Sequence, residues 1–271
     1  MPTLTNGVKY LLWANIAIFA LGYILAVTLR IDIDDYLALN YIQSPRFKPL
    51  QFVTYMFLHG SLMHIFFNMF ALTQFGSIIE QVWGTKRFAF YYLVTGVGAA
   101  VVNMLVTYYQ LNPFVECAHN YLADPNPDSL MAMVHSAPDL FNEANASEIA
   151  SAWRQGLADE QVIIDNTFTM VQEKLDSNYV ARPMVGASGA VFGLLLAFGV
   201  MFPNLKLQII FIPIGIPAKY FVIIYGLVEL FCGVKSFEGD NVAHFAHLGG
   251  MLFGILLLLW WRKNPHNEMF N

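Results

Sequence analysis

The sequence predicts an all-α integral membrane protein, a bundle of six transmembrane helices with an extracytoplasmic insertion between the third and the fourth. Three observations carry that expectation. Of 271 residues, 57% are hydrophobic and only 12% are charged, whereas soluble domains carry about one charged residue in four. Six apolar runs can cross a hydrocarbon core of about 30 Å, at 10–29, 61–80, 88–111, 189–203, 217–234 and 243–261. Between the third and fourth lies a polar stretch, 112–182, with eleven acidic residues against three basic ones, Arg154, Lys174 and Arg182.

The first run ends at Arg30 and lacks a small-residue cleavage pattern, so it reads as a retained helix rather than a signal peptide. An even number of crossings puts both termini on one side. Short loops on that side hold seven cations, Lys9, Lys86, Arg87, Lys206, Lys219, Arg262 and Lys263, against Arg30, Arg46, Lys48 and Lys235 opposite. The positive-inside rule therefore expects cytoplasmic termini, and a bacterial inner membrane is the expected location. Residues 204–216 are apolar but broken by proline and glycine, which argues for an interfacial stretch instead of a seventh span. The chain reads as a single membrane domain, 1–271, with 112–182 inserted in it.

Inside the insertion, Pro113, Pro125 and Pro127 are turn signals. Residues 144–175 have helix-favouring composition after a cap at Asn145 or Ser147, which predicts one or two surface helices. Asn145-Ala146-Ser147 also fits a glycosylation acceptor.

Composition excludes some functions. A net charge of −5 without a Lys/Arg cluster gives no footprint for a phosphate backbone, so no nucleic acid is expected. Cys117 and Cys232 lack any metal-binding spacing, and no cofactor or metal is expected.

Three polar clusters lie in apolar surroundings, where each unsatisfied group costs several kcal/mol. They are His59 with His64 and Asn68 at the second span, Gly186-Ala187-Ser188-Gly189 at the fourth, and His244 with His247 at the sixth. Even-numbered spans run the same way, so all three enter from the same face. Fifteen residues separate Ser188 from Pro203, His247 from Arg262, and Asn68 from Trp83, each about 22 Å of helix. Serine and histidine are thus expected level, roughly 8 Å below the outer edge of the core.

Glycines four apart at Gly189/Gly193 and Gly250/Gly254 would let spans four and six approach closely. Ser188 would then reach His247, the arrangement in which an imidazole takes the proton of an attacking hydroxyl. His64 and Asn68 share one helix face and, with the Ser188 backbone N–H, could hold an oxyanion. No aspartate is placed to complete a triad, since Asp240 reads as a solvated loop charge. Glu229, inside the fifth span, reads as paired with a neighbour or as a gate for water. Glu80 with Lys86 or Arg87 reads as a cytoplasmic ion pair or a solvated turn.

At these residues the chain resembles the rhomboid family of intramembrane serine proteases. The Gly-x-Ser-Gly motif stands at Gly186 to Gly189, His-x4-His-x3-Asn at His59, His64 and Asn68, and Ala-His-x2-Gly-x3-Gly at Ala246, His247, Gly250 and Gly254. The resemblance implies Ser188 as nucleophile, His247 as general base and acid, and His64 with Asn68 as oxyanion-hole side chains. It also implies that Gly186 and Phe192 line the substrate site, with the Phe192 ring stacked on the imidazole, and that His59 braces the first external loop. Residues 30–54 resemble the family's membrane-embedded loop and 235–242 its mobile cap. The implied substrates are single-span membrane proteins cut in or next to their transmembrane segment, without metal or cofactor.

Three other classes compete with this reading. A catalytically inactive rhomboid-like protein that binds membrane segments would generally lack the serine or the histidine. A metalloenzyme built on His59, His64, His244 and His247 lacks an HExxH motif and a level carboxylate. A transporter would need an inverted repeat, which is not seen.

Overall fold

A computed structural model describes residues 3–180, 183–208, 215–235 and 242–263. It is mostly helical: α1 (Asn6–Leu29), α2 (Asp34–Leu37), α3 (Gln51–Thr54) with a 3-10 turn at Tyr55–Phe57, α4 (Leu62–Ala71), a π-helical turn at Leu72–Gly76, α5 (Ser77–Trp83), α6 (Thr85–Ala123), α7 (Pro127–Ser136), a 3-10 turn at Pro138–Leu140, α8 (Glu143–Arg154), α9 (Glu160–Val180), α10 (Ser188–Met201), α11 (Ala218–Lys235) and α12 (His244–Lys263). Strands β1 (Lys206–Gln208) and β2 (Gly215–Pro217) pair antiparallel. Among the described residues, four helices are long and apolar enough to cross a membrane, Asn6–Leu29, Leu62–Trp83, Thr85–Ala123 and His244–Lys263, while α10 is apolar but only 14 residues long. Parts of the expected interfacial stretch (209–214) and most of the expected cap (236–241, with Asp240) lie outside the described residues.

The chain forms two compact units. The first comprises Met1–Leu39, Lys48–Met104 and Pro183–Asn271. Its centre is α10, whose residues are buried almost all round, as expected of a helix apolar on every face. It packs most extensively on α12. By contrast α1 exposes Tyr10, Trp13, Leu21, Tyr23 and Val27, a surface suited to lipid.

One anchor of α1 corrects the reading of Glu80. This carboxylate is buried and pairs with neither Lys86 nor Arg87: it accepts the backbone N–H of Gly7 (2.8 Å) and Val8 (2.9 Å) and the hydroxyls of Thr5 and Thr85. Gly7 and Val8 are first-turn donors that no helix can satisfy internally, so a charge from α5 caps α1 at long range. Arg87 instead lies over the Trp261 ring at 4.0 Å, a cation–π contact. Glu80→Ala should therefore lower stability by about 2–3 kcal/mol, the scale of hydrogen bonds to a charged acceptor, read as a lowered denaturation midpoint in detergent.

The second unit comprises Asn40–Phe47 and Leu105–Arg182. Contrary to the turn expected at Pro113, α6 runs through that proline to Ala123. The physical reason lies in packing: Phe114, Ala118 and Tyr121 share one helix face and are buried with Leu130, Met133, Val134, Trp153, Val171 and Leu175. Burying each large side chain is worth about 1.5–3 kcal/mol, enough together to offset roughly 3 kcal/mol for an interior proline. Pro127 does start a helix, where the Asn126 side chain accepts from the N–H of Asp128 and Ser129. The cap of α8 is Asn142, which accepts from Asn145 N at 3.1 Å, rather than Asn145 or Ser147. Cys117 and Cys232 are free thiols.

Candidate active site

The backbone leading to Ser188 is fixed from two sides. Leu39 and Met184 exchange both backbone hydrogen bonds (3.0 and 2.9 Å), and Gly186 N–H donates to the Tyr55 carbonyl at 2.9 Å. The loop that supplies these partners is itself tied, since Gln51 Nε2 donates to Tyr36 O (3.1 Å) and Thr54 Oγ1 to Leu37 O (2.6 Å). The chain then enters α10 with Ser188 as its first helical residue. The first-turn N–H groups there have no intrahelical acceptor and carry the positive end of the helix dipole.

Ser188 and His247 come from different helices and meet: Oγ lies 2.9 Å from Nε2 of the imidazole. Two backbones make this approach. A Cβ on Gly250 would stand 1.9 Å from the Gly189 carbonyl oxygen, so α10 and α12 touch main chain to main chain there. The outer pair of glycines does a different job from the one expected. Gly193 faces Thr95 and Gly254 faces the Tyr91 hydroxyl, both on α6, and Tyr91 donates to Gly193 O at 2.9 Å. The Phe192 ring lies flat on His247, with centroids 4.1 Å apart and planes 5° apart, and Tyr225 backs it at 4.9 Å.

His64 reaches the same place from α4. Ser61 accepts the His64 backbone N–H at 3.1 Å and so caps the helix that carries it. Gly186 has φ +123°, a region that L side chains rarely adopt. A Cβ built on it would lie 2.7 Å from His64 Nε2 and 3.7 Å from Ser188 Oγ, so the histidine and the serine border one small space that any side chain at 186 would fill. Asn68 is buried one turn along and spends one amide N–H on the His64 carbonyl (3.0 Å).

His59 packs edge-on against His64 with centroids 5.0 Å apart. It is 7% exposed and neither ring nitrogen makes a well-formed hydrogen bond. Burial, then repulsion by His64, lowers its pKa to about 3, with the Phe57 carbonyl opposing only in part. The unfolded chain, near 6.5, takes up a proton that the folded protein refuses. This stability is full above pH 6.5 and drains as pH falls toward 3, by at most roughly 1.4 kcal/mol per pH unit. His59→Gln should flatten the slope between pH 6.5 and 4.5, as read from denaturation midpoints.

Sequence reasoning expected a neighbour to pair with Glu229 but did not name it. It is 5% exposed on α11, and its Oε2 accepts from Nδ1 of both His247 (2.8 Å) and His244 (2.6 Å). The three side chains also form a cluster with ligand atoms within 4.8 Å of one another, the chemistry a metal ion could use. Only the intramembrane acid in the sequence signalled this partnership, because the histidines lie 15 and 18 residues further on.

Fold and site together define a helical membrane protein in which a serine hydroxyl and an imidazole, brought by separate helices, share a hydrogen bond beside a second histidine. Residues 46–115 and 160–264 match the rhomboid domain, more than half of the chain, and the protein belongs to the rhomboid family. It is similar to Rhomboid-like protein 15 of Arabidopsis thaliana, 28% identical over 118 residues (42% of this chain, 29% of that protein). Rhomboid protein 1, mitochondrial, of Saccharomyces cerevisiae is 30% identical over 94 residues (35% of this chain, 27% of that protein). Rhomboid-like protein 11, chloroplastic, of Arabidopsis thaliana is 36% identical over 86 residues (28% of this chain, 31% of that protein). The chain thus spans less than a third of the length of each of these relatives.

Proposed function

We propose that this protein is an intramembrane serine endopeptidase that cuts single-span membrane proteins in or next to their transmembrane segment. The observation that carries the reading is the 2.9 Å contact between Ser188 Oγ and His247 Nε2 across two helices. Nothing in local sequence brings these groups together, and a half-buried hydroxyl beside a buried imidazole at a helix N-terminus is what acyl transfer needs. Ser188 Oγ attacks the scissile carbonyl carbon while Nε2 of His247 accepts its proton. The oxygen that becomes negative lies between His64, Asn68 and the first N–H groups of α10, donors whose attraction grows as charge develops. Nε2 then gives the proton to the leaving amine, and water releases the acyl group by the reverse sequence. Gly186 keeps the space beside His64 open, and Phe192 holds the imidazole plane.

Six crossings, counting α10 and α11, and an insertion at 112–182 on the outer side complete this reading. The bacterial inner membrane expected from the sequence finds no support among the relatives, two of which are named as mitochondrial or chloroplastic. A purely binding role has no use for a serine set on an imidazole, which favours the enzyme. The test is reconstitution in liposomes with a labelled single-span substrate and a fluorophosphonate probe. Cleavage and labelling at Ser188 that both require His247 are the expected result; a folded protein that binds substrate, cuts nothing and takes no label overturns it.

A further inference from the structure

We propose that Glu229 is a third, positioning member of the site: shared between His247 and His244, it holds the His247 imidazole with its basic nitrogen toward Ser188. The inference rests on the protease reading and deepens it.

The two ring nitrogens of His247 are engaged on opposite sides, Nδ1 by Glu229 Oε2 at 2.8 Å and Nε2 by Ser188 Oγ at 2.9 Å. An ionised carboxylate only accepts hydrogen bonds. The single proton of a neutral imidazole therefore belongs on Nδ1, which leaves the Nε2 lone pair facing the serine O–H. When Nε2 takes the serine proton, the imidazolium keeps Nδ1–H on Glu229, whose negative charge offsets the new positive one. Glu229 itself gains no proton, and the one on Nε2 leaves with the amine. The flat Phe192 ring at 4.1 Å and the carboxylate together fix the plane and the tilt of the imidazole.

Burial supports a role for this acid. A carboxylate 5% exposed in an apolar helix is costly unless paired, and this one spends its oxygen Oε2 on two histidines of the neighbouring helix. His244, one turn before His247, holds that oxygen from the other side at 2.6 Å. The carboxylate thereby ties α11 to α12 at the level of the reacting nitrogen. Among the described residues, Tyr225 on α11 and His64 on α4 are further titratable groups close enough to act on the pair.

The experiment uses the full chain in liposomes with the labelled substrate, comparing wild type, Glu229→Gln, Glu229→Asp and Ser188→Ala. Glu229→Gln is expected to lower kcat by about 10²–10⁴-fold with little change in KM, since an amide can donate to Nδ1 and select the wrong tautomer. Glu229→Asp should restore part of the rate. Nitrogen-15 spectra of Ser188→Ala should show the His247 proton on Nδ1, and on Nε2 once Glu229→Gln is added, a readout that needs no substrate. Unchanged kcat, or a loss that tracks unfolding with an unmoved tautomer, overturns the role of Glu229. Cleavage surviving in Ser188→Ala overturns instead the protease reading beneath it.

Discussion

Ser188→Ala and His247→Ala each lower cleavage of a labelled single-span substrate by at least about 10³-fold, and the double substitution lowers it little further. In the proposed mechanism the two side chains act as one unit, because the hydroxyl is a poor nucleophile without its base and the imidazole has no other proton to take. Both variants keep the fold. Serine to alanine removes one oxygen from the start of α10, and the backbone bonds of Leu39–Met184 and Gly186–Tyr55 that set this stretch do not involve it. Turnover in liposomes together with a thermal midpoint in detergent separates lost chemistry from lost structure. Independent, multiplicative losses in the double variant would show that the 2.9 Å contact is not used in the reaction.

Gly250→Ala is expected to cost about 10²-fold in kcat although the residue carries no functional group. Its Cβ would sit 1.9 Å from the Gly189 carbonyl oxygen, a backbone atom that cannot swing aside. The helices must part by more than about 1 Å to reach ordinary contact, and misplacement on that scale is worth about 10²-fold in rate. The contrast is Gly226→Ala on α11, whose new Cβ meets only the flexible Met251 side chain at 3.3 Å and should leave kcat nearly unchanged. Probe labelling at Ser188 measured for both variants checks the comparison. Equal rates would mean that the close approach of α10 and α12 does not set the serine–histidine distance.

What the sequence disclosed and what it hid follow from where each interaction lies along the chain. Ser188, His247, His64 and Asn68 stood out because polar groups in apolar runs are expensive, and that expense is visible residue by residue. The partners of Glu80 were invisible for the opposite reason: its hydrogen bonds to Gly7 and Val8 span more than seventy residues. Nearby cations at Lys86 and Arg87 offered a local explanation that the fold does not use. Pro113 misled in the same way. A proline is a strong local signal, but the face formed by Phe114, Ala118 and Tyr121 decides the outcome, and that face has meaning only beside Leu130 and Val171. The glycine spacing was half informative, since Gly189 and Gly250 meet each other while Gly193 and Gly254 receive α6.

The shortness of α10 has a consequence for the proposed hydrolysis. Fourteen residues rise about 21 Å, some two turns less than a bilayer's oily interior of roughly 30 Å. If α10 is one of the six proposed crossings, non-helical backbone must make up the missing height, and such backbone survives at that depth only where protein shields it or solvent wets it. On the proposed protease reading, a serine at the start of so short a helix sits below the outer edge of that interior, and the release of the acyl group then requires that water reach the same depth.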